Sequence, residues 1–118
     1  MPRQDPGEPY WRITTDEAKE MLERGGDGVV VDVRNPDEWH AGHIKGSLWI
    51  PVDEVLNRID ELPQDKKLLF ICAQGVRSGL ACEMAAAMGF PSELLYNIED
   101  GVPAWMEKSY PTSYGDDP

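Results

Sequence analysis

The stretch Leu68-Leu69-Phe70-Ile71-Cys72-Ala73-Gln74-Gly75-Val76-Arg77-Ser78 decides how the rest of the chain is read. Leu68 to Ile71 is a short, uninterrupted apolar run, the pattern of a strand covered on both faces. A helical repeat follows it: Leu80, Ala81, Met84, Ala85 and Met88 share one stripe at 3.6-residue spacing. Gly89 supplies a C-terminal stop. Cys72 is therefore expected at the C-terminal end of a strand, just ahead of a helix N-terminus. Open α/β sheets place their ligand sites there.

A helix N-terminus presents unpaired N–H groups and a partial positive charge. Consecutive loop amides can curl around an anion. A thiolate held this way has a depressed pKa and becomes a nucleophile. Cys72 is thus the candidate catalytic residue, with Ala73, Gln74, Gly75, Val76, Arg77 and Ser78 as the substrate-binding loop. Gly75 lets the backbone turn inward, Arg77 offers a permanent cation, and Ser78 can donate to a bound anion.

Outward from this loop, Val29-Val30-Val31-Asp32-Val33-Arg34 reads as a second buried strand. Asp32 and Arg34 would share the sheet edge with Cys72. Asp32 reads as a structural acceptor for loop N–H groups, and Arg34 is expected to pair with Glu38. Pro36 opens a short helix that ends at Gly42. Toward the N-terminus, Tyr10 to Ile13 suits an edge strand. Thr14 and Glu17 form a capping box for a helix running to about Arg24, with Ala18, Met21 and Leu22 inward. Gly25-Gly26 and Asp27 make the next turn. Val52 to Asn57 reads as a helix, Glu93 to Tyr96 as the last strand, and Val102 onward as the last helix. Alternating strands and helices imply an α/β domain with a mostly parallel sheet. Residues 10–108 form the expected domain, with flexible segments at 1–9 and 109–118.

Three motifs in this chain resemble the rhodanese family of sulfurtransferases. The first is Asp32-Val33-Arg34, Glu38-Trp39, Gly42-His43-Ile44 and Gly46. The second is Cys72-Ala73-Gln74-Gly75-Val76-Arg77-Ser78. The third, Gly101 with Ala104-Trp105, has Asp100 where the family has a glycine. The resemblance spans about Trp11 to Glu107. It implies a five-stranded, mostly parallel sheet with helices on both faces. It also implies a cysteine that takes a sulfane sulfur from thiosulfate, polysulfide or a persulfide and passes it to a thiol or cyanide. His43 is implied to fix a turn; the alternative from residue type alone is a general base for Cys72. Asp100 would bring negative charge to the substrate mouth. A non-catalytic docking or sulfur-carrier module is the competing reading. A cysteine phosphatase or arsenate reductase of related fold would place five residues between cysteine and arginine. Here there are four, a loop better suited to one sulfur atom than to a tetrahedral oxyanion.

The 118 residues suffice for one domain, and the net charge is −11. Such a surface repels nucleic acid and anionic membranes. No apolar run approaches the ~20 residues of a membrane helix, and the polar start of the chain is unlike a secretory signal. Cys72 and Cys82 do not make a disulfide framework. Cys82 reads as a small packed residue, a resolving thiol being the alternative. Neither the cysteines nor His40 and His43 follow a metal-site spacing, so no metal or cofactor is expected. The expected partners are a small sulfur donor and a thiol acceptor, with a thioredoxin-like or other protein acceptor as a variant. A reducing cytoplasm and a monomeric state complete the expectation.

Overall fold

The computed structural model describes residues 1–25 and 28–118; of the expected turn at Gly25-Gly26-Asp27, Gly26 and Asp27 lie outside the described residues. The elements run β1 Trp11–Ile13, α1 Thr15–Glu23, β2 Val29–Asp32, α2 Pro36–Ala41, β3 His43–Ile44, β4 Leu48–Trp49, β5 Leu68–Ile71, α3 Val76–Ala87, β6 Leu95–Ile98, α4 Gly101–Glu107 and β7 Thr112–Ser113. Five strands form one sheet in the order β1-β6-β5-β2-β4, and every pairing in it is parallel. The all-apolar β5 lies at the centre, as its burial on both faces requires. Its register aligns Ile71 with Asp32 on one side and Ile98 on the other. All three strands therefore end together at the edge where Cys72 begins.

Strand parity divides the core. Leu68, Phe70, Val31 and Leu95 face a cluster with Ala81, Cys82 and Ala85 of α3 and with Val55, Ile59 and Leu62. Leu69, Ile71, Val30 and Ile98 face a second cluster with Ala18 of α1 and Val102 and Trp105 of α4. Helices thus cover both faces. The capping box of α1 is formed: Glu17 N–H donates to Thr14 Oγ1 at 3.2 Å, and Thr14 N–H donates to Glu17 Oε1 at 2.8 Å. Pro36 opens α2, where its missing N–H has no cost.

Several expectations are corrected. The inward face of α3 is Ser78, Gly79, Ala81, Cys82 and Ala85, while Leu80 and Met88 are exposed. Small residues win this face because the helix lies close to the sheet. A Cβ on Gly79 would stand 3.3 Å from both Asn97 Nδ2 and Tyr10 OH. Val52 to Asn57 is not an α-helix but begins with a single 3-10 turn, Val52–Glu54; a second turn follows at Ile59–Glu61. Val55 and Ile59 are anchored in the core while Arg58 holds Glu54 and Glu61 at the surface, so the chain makes separate tight turns. The last sheet strand is Leu95–Ile98, since Ser92–Leu94 is another 3-10 turn. Apart from these corrections, a short strand at Thr112–Ser113, β7, pairs antiparallel with β3. At the other end, Arg3 bridges to Arg12 of β1 and ion-pairs with Glu99.

Candidate active site

β5 delivers Cys72 to the edge of the sheet, and the chain turns at once into α3. Gly75 makes the turn with φ +86°, and a Cβ there would stand 2.7 Å from the Glu99 carbonyl oxygen. Glycine is needed for both the left-handed backbone and the close approach. From the opposite side the loop is held by α4. Val102 N–H donates to the Cys72 carbonyl at 2.9 Å. Gly101, at φ +77°, lies so near that a Cβ would stand 2.0 Å from the Ala73 carbonyl oxygen.

The loop closes around the sulfur. Gly75 N–H donates to Cys72 Sγ at 3.1 Å, and Ser78 Oγ lies 3.2 Å from the same sulfur. The cysteine residue is 1 % exposed. Burial opposes ionisation, but hydrogen bonds from the Ser78 hydroxyl and from the amides of Ser78, Gln74 and Gly75 outweigh it, lowering the thiol pKa below its ordinary value. Cys82, by contrast, is fully buried and burial pushes its thiol up. Both cysteines are free.

Ser78 does not stand alone. Its hydroxyl donates to Asn97 Oδ1 at 2.6 Å, and Asn97 Nδ2 donates to the Gly75 carbonyl at 3.0 Å. Asn97, buried near the end of β6, thus ties the Gly75 turn to Ser78 in the first turn of α3. The sequence carries no signal for this role, since an asparagine in the loop expected after Tyr96 belongs to no motif; only the β5–β6 pairing brings it here.

The charged residues are placed differently from expectation. Arg34 does not pair with Glu38. Its guanidinium lies on Asp32, with Nε 3.0 Å from both carboxylate oxygens and Nη2 2.8 Å from Oδ2; Nη2 also donates to the Gly42 carbonyl at 2.7 Å. Asp32 also accepts the Arg34 N–H at 3.0 Å, so it is a structural acceptor. Two residues of separation at a strand end bring this pair together before Glu38 can compete. Glu38 instead binds Arg77 in a fork, at 2.7 Å to Nη1 and 2.9 Å to Nη2. Arg77 holds the Glu38 carboxyl down at about 2, and Glu38 in turn raises the Arg77 guanidinium. The Cys72 thiolate adds a smaller share to that rise.

His43 is buried away from Cys72's hydrogen bonds. Its Nδ1 faces the Trp39 carbonyl at 2.8 Å, its Nε2 faces the Asp117 carbonyl at 2.6 Å, and its ring stacks on Trp39 at 3.4 Å. These contacts fix the turn after α2 and leave no free nitrogen for a base. Asp100 is also occupied: it accepts from the Thr15 N–H and hydroxyl at 2.8 and 3.0 Å, with Lys108 at 3.8 Å. Its charge is spent joining α1 to α4. In the loop itself Val76 projects outward, 77 % exposed.

The chain as a whole is similar to known proteins. The Rhodanese-like domain family matches residues 14–108. The chain is 30 % identical to the thiosulfate sulfurtransferase GlpE of Pseudomonas syringae, over 86 % of this chain and 92 % of that protein. It is 32 % identical to a Mycobacterium tuberculosis protein named as a probable adenylyltransferase/sulfurtransferase, MoeZ, over 84 % of this chain; the match spans only 25 % of MoeZ. Among solved structures, a rhodanese-related protein of Thermoplasma volcanium superposes with a TM-score of 0.73 at 32 % identity, covering 86 % of this chain and 96 % of that one.

Proposed function

This chain belongs to the rhodanese-like domain family, and on that premise we propose that it is a sulfurtransferase working through a Cys72 persulfide. The thiolate attacks the outer sulfur of a sulfane donor; thiosulfate, polysulfide and persulfides are the candidate donors. The new Sγ–S bond forms as the donor's S–S bond breaks, and the electron pair departs with sulfite or a thiolate. A thiol or cyanide then attacks the carried sulfur, and Cys72 leaves as thiolate. The amides of Ala73, Gln74, Gly75, Val76, Arg77 and Ser78 are the candidates to cradle the outer sulfur, in the way loop amides stabilise developing negative charge. Asp32, Arg34 and His43 support the site by fixing the backbone around it.

The observation that carries this reading is the Gly75 N–H aimed at Cys72 Sγ within a loop whose hydrogen bonds favour the anion. Relatives named sulfurtransferases support it further. We place the protein in a reducing cytoplasm, as a monomer with small-molecule donors and a thiol or thioredoxin-like acceptor; a free reactive thiol fits such a compartment. No helix among the described residues is long and apolar enough to cross a membrane. Treatment with a sulfane donor should add the mass of one sulfur atom to the protein and none to Cys72→Ser. An equal adduct on Cys72→Ser would assign the chemistry elsewhere.

A further inference from the structure

Two of the groups that reach Cys72 Sγ hang on one buried side chain. The Gly75 N–H nitrogen lies 3.1 Å from the sulfur and Ser78 Oγ lies 3.2 Å from it. Asn97 grips both residues, the Gly75 carbonyl at 3.0 Å and the Ser78 hydroxyl at 2.6 Å. Its backbone is set within the sheet, aligned with Arg12 of β1 on one side and Phe70 of β5 on the other. The residue is 2 % exposed. Its amide is seated beside Gly79, where a Cβ would stand 3.3 Å from Nδ2.

The orientation of this amide has one solution. The Gly75 carbonyl, which also takes the Gly79 N–H at 3.1 Å, can accept but never donate. The Nδ2 end of Asn97 must therefore face it. That turns Oδ1 toward Ser78. Oδ1 too can only accept, so the Ser78 proton lies between the two oxygens. Ser78 then presents a lone pair, not a proton, to Cys72 Sγ. A neutral thiol suits that arrangement, since its S–H can donate to the Ser78 oxygen. A thiolate needs the hydroxyl proton instead, and receives it only when Ser78 lets go of Asn97.

We propose that Asn97 is a positioning residue for sulfur transfer: it takes the Ser78 proton while Sγ is a thiol or carries a second sulfur, and yields it whenever Sγ is a thiolate. This rests on the sulfurtransferase reading above. Cys72 is a thiolate before it attacks, with the Ser78 hydroxyl turned to it. Its electron pair forms the new Sγ–S bond, the donor's S–S bond breaks, and that pair leaves with the remainder of the donor. The negative charge of the loaded protein then sits on the outer sulfur, and the hydroxyl swings back to Asn97. When an acceptor thiolate attacks the outer sulfur, the Sγ–S bond breaks and its pair returns to Sγ, which draws the hydroxyl again. The proton stays on the Ser78 oxygen throughout; only its direction changes.

The test follows the side-chain carbonyl of Asn97 by carbon NMR in the intact protein as pH is raised through the ionisation of Cys72. Its resonance should shift with the same midpoint as the pH profile of Cys72 alkylation by iodoacetamide, and the shift should be lost in Ser78→Ala. Loading Cys72 from cysteine persulfide at the higher pH should return the resonance to its thiol position. A resonance that does not move, that moves equally in Ser78→Ala, or that keeps its thiolate position after loading would overturn the proposal. In kinetics, Ser78→Ala should slow alkylation at pH 7 about threefold more in an Asn97→Ala background than in the wild type, because the competitor for the proton is gone. An equal or smaller effect would also overturn it. The NMR titration decides the matter if the double variant does not fold. If the persulfide does not load Cys72, the sulfurtransferase reading fails, while the pH titration still decides the role of Asn97.

Discussion

Ser78 has one hydroxyl proton and two neighbours able to take it. Asn97 Oδ1 lies at 2.6 Å and Cys72 Sγ at 3.2 Å. When the sulfur is a thiol, its own proton can point to Ser78 and the hydroxyl to Asn97. When the sulfur is an anion, the hydroxyl can turn to it. A hydrogen bond to a charged group is worth about 1.5–3 kcal/mol, so Ser78→Ala should raise the Cys72 pKa. Alkylation of Cys72 by iodoacetamide at pH 7 should slow roughly tenfold or more. An unchanged rate would mean that the amides alone set the ionisation. This corner of the site was legible in sequence because Cys72, Gly75 and Ser78 are close along the chain, where spacing and geometry are tightly coupled. The charges were not. Glu38 and Arg34 are four apart, a helix-like spacing that suggests a pair. The true partner, Arg77, is 39 residues away and is reached only through the fold.

At the scale of elements, the site is a joint between the β5–α3 turn and the start of α4. Gly101 is where the two backbones touch. Gly101→Ala would force a side chain into left-handed backbone and drive a Cβ against the carbonyls of Cys72 and Ala73. Left-handed strain alone costs about 1–2 kcal/mol, and the backbone clash adds to it. Thermal unfolding should drop by several degrees, and sulfur loading of the surviving folded protein should fall as the loop is displaced. A melting curve like that of the wild type would show that α4 does not brace the loop. The strands and main helices follow from apolar runs, capping residues and glycines, all of which act locally. The face of α3 does not. Leu80 and Met88 are the more hydrophobic choices, but Gly79, Ala81 and Ala85 permit the close approach that packs helix on sheet. Close packing between elements outweighed the side-chain hydrophobicity that a periodic stripe measures.

Across the whole molecule, a strongly acidic surface is held together in part by carboxylates paired with arginines. The Arg12 guanidinium holds Glu8 down to about 2, and Arg77 does the same for Glu38, against an ordinary 4.5. Because both carboxyls titrate lower in the folded chain than in the unfolded one, their stabilisation is complete above about pH 4.5. It is lost as pH falls from there through 2. Stability measured by denaturant unfolding should therefore decline across that window, and Glu38→Gln should make the decline shallower; an equally steep profile in the variant would contradict the pairing. The two-sided α/β plan was legible from the order of strands and helices. The docking of β7 on β3 was not, because Thr112-Ser113 has no apolar pattern to mark it. What joins these scales is a sulfur held as an anion by the backbone that follows it. The most direct measurement loads the intact protein with a sulfane donor, weighs it, and maps the product by peptide mass. The account predicts one added sulfur atom, located on the peptide containing Cys72. A protein that takes up no sulfur, or carries it on the peptide containing Cys82, would contradict it.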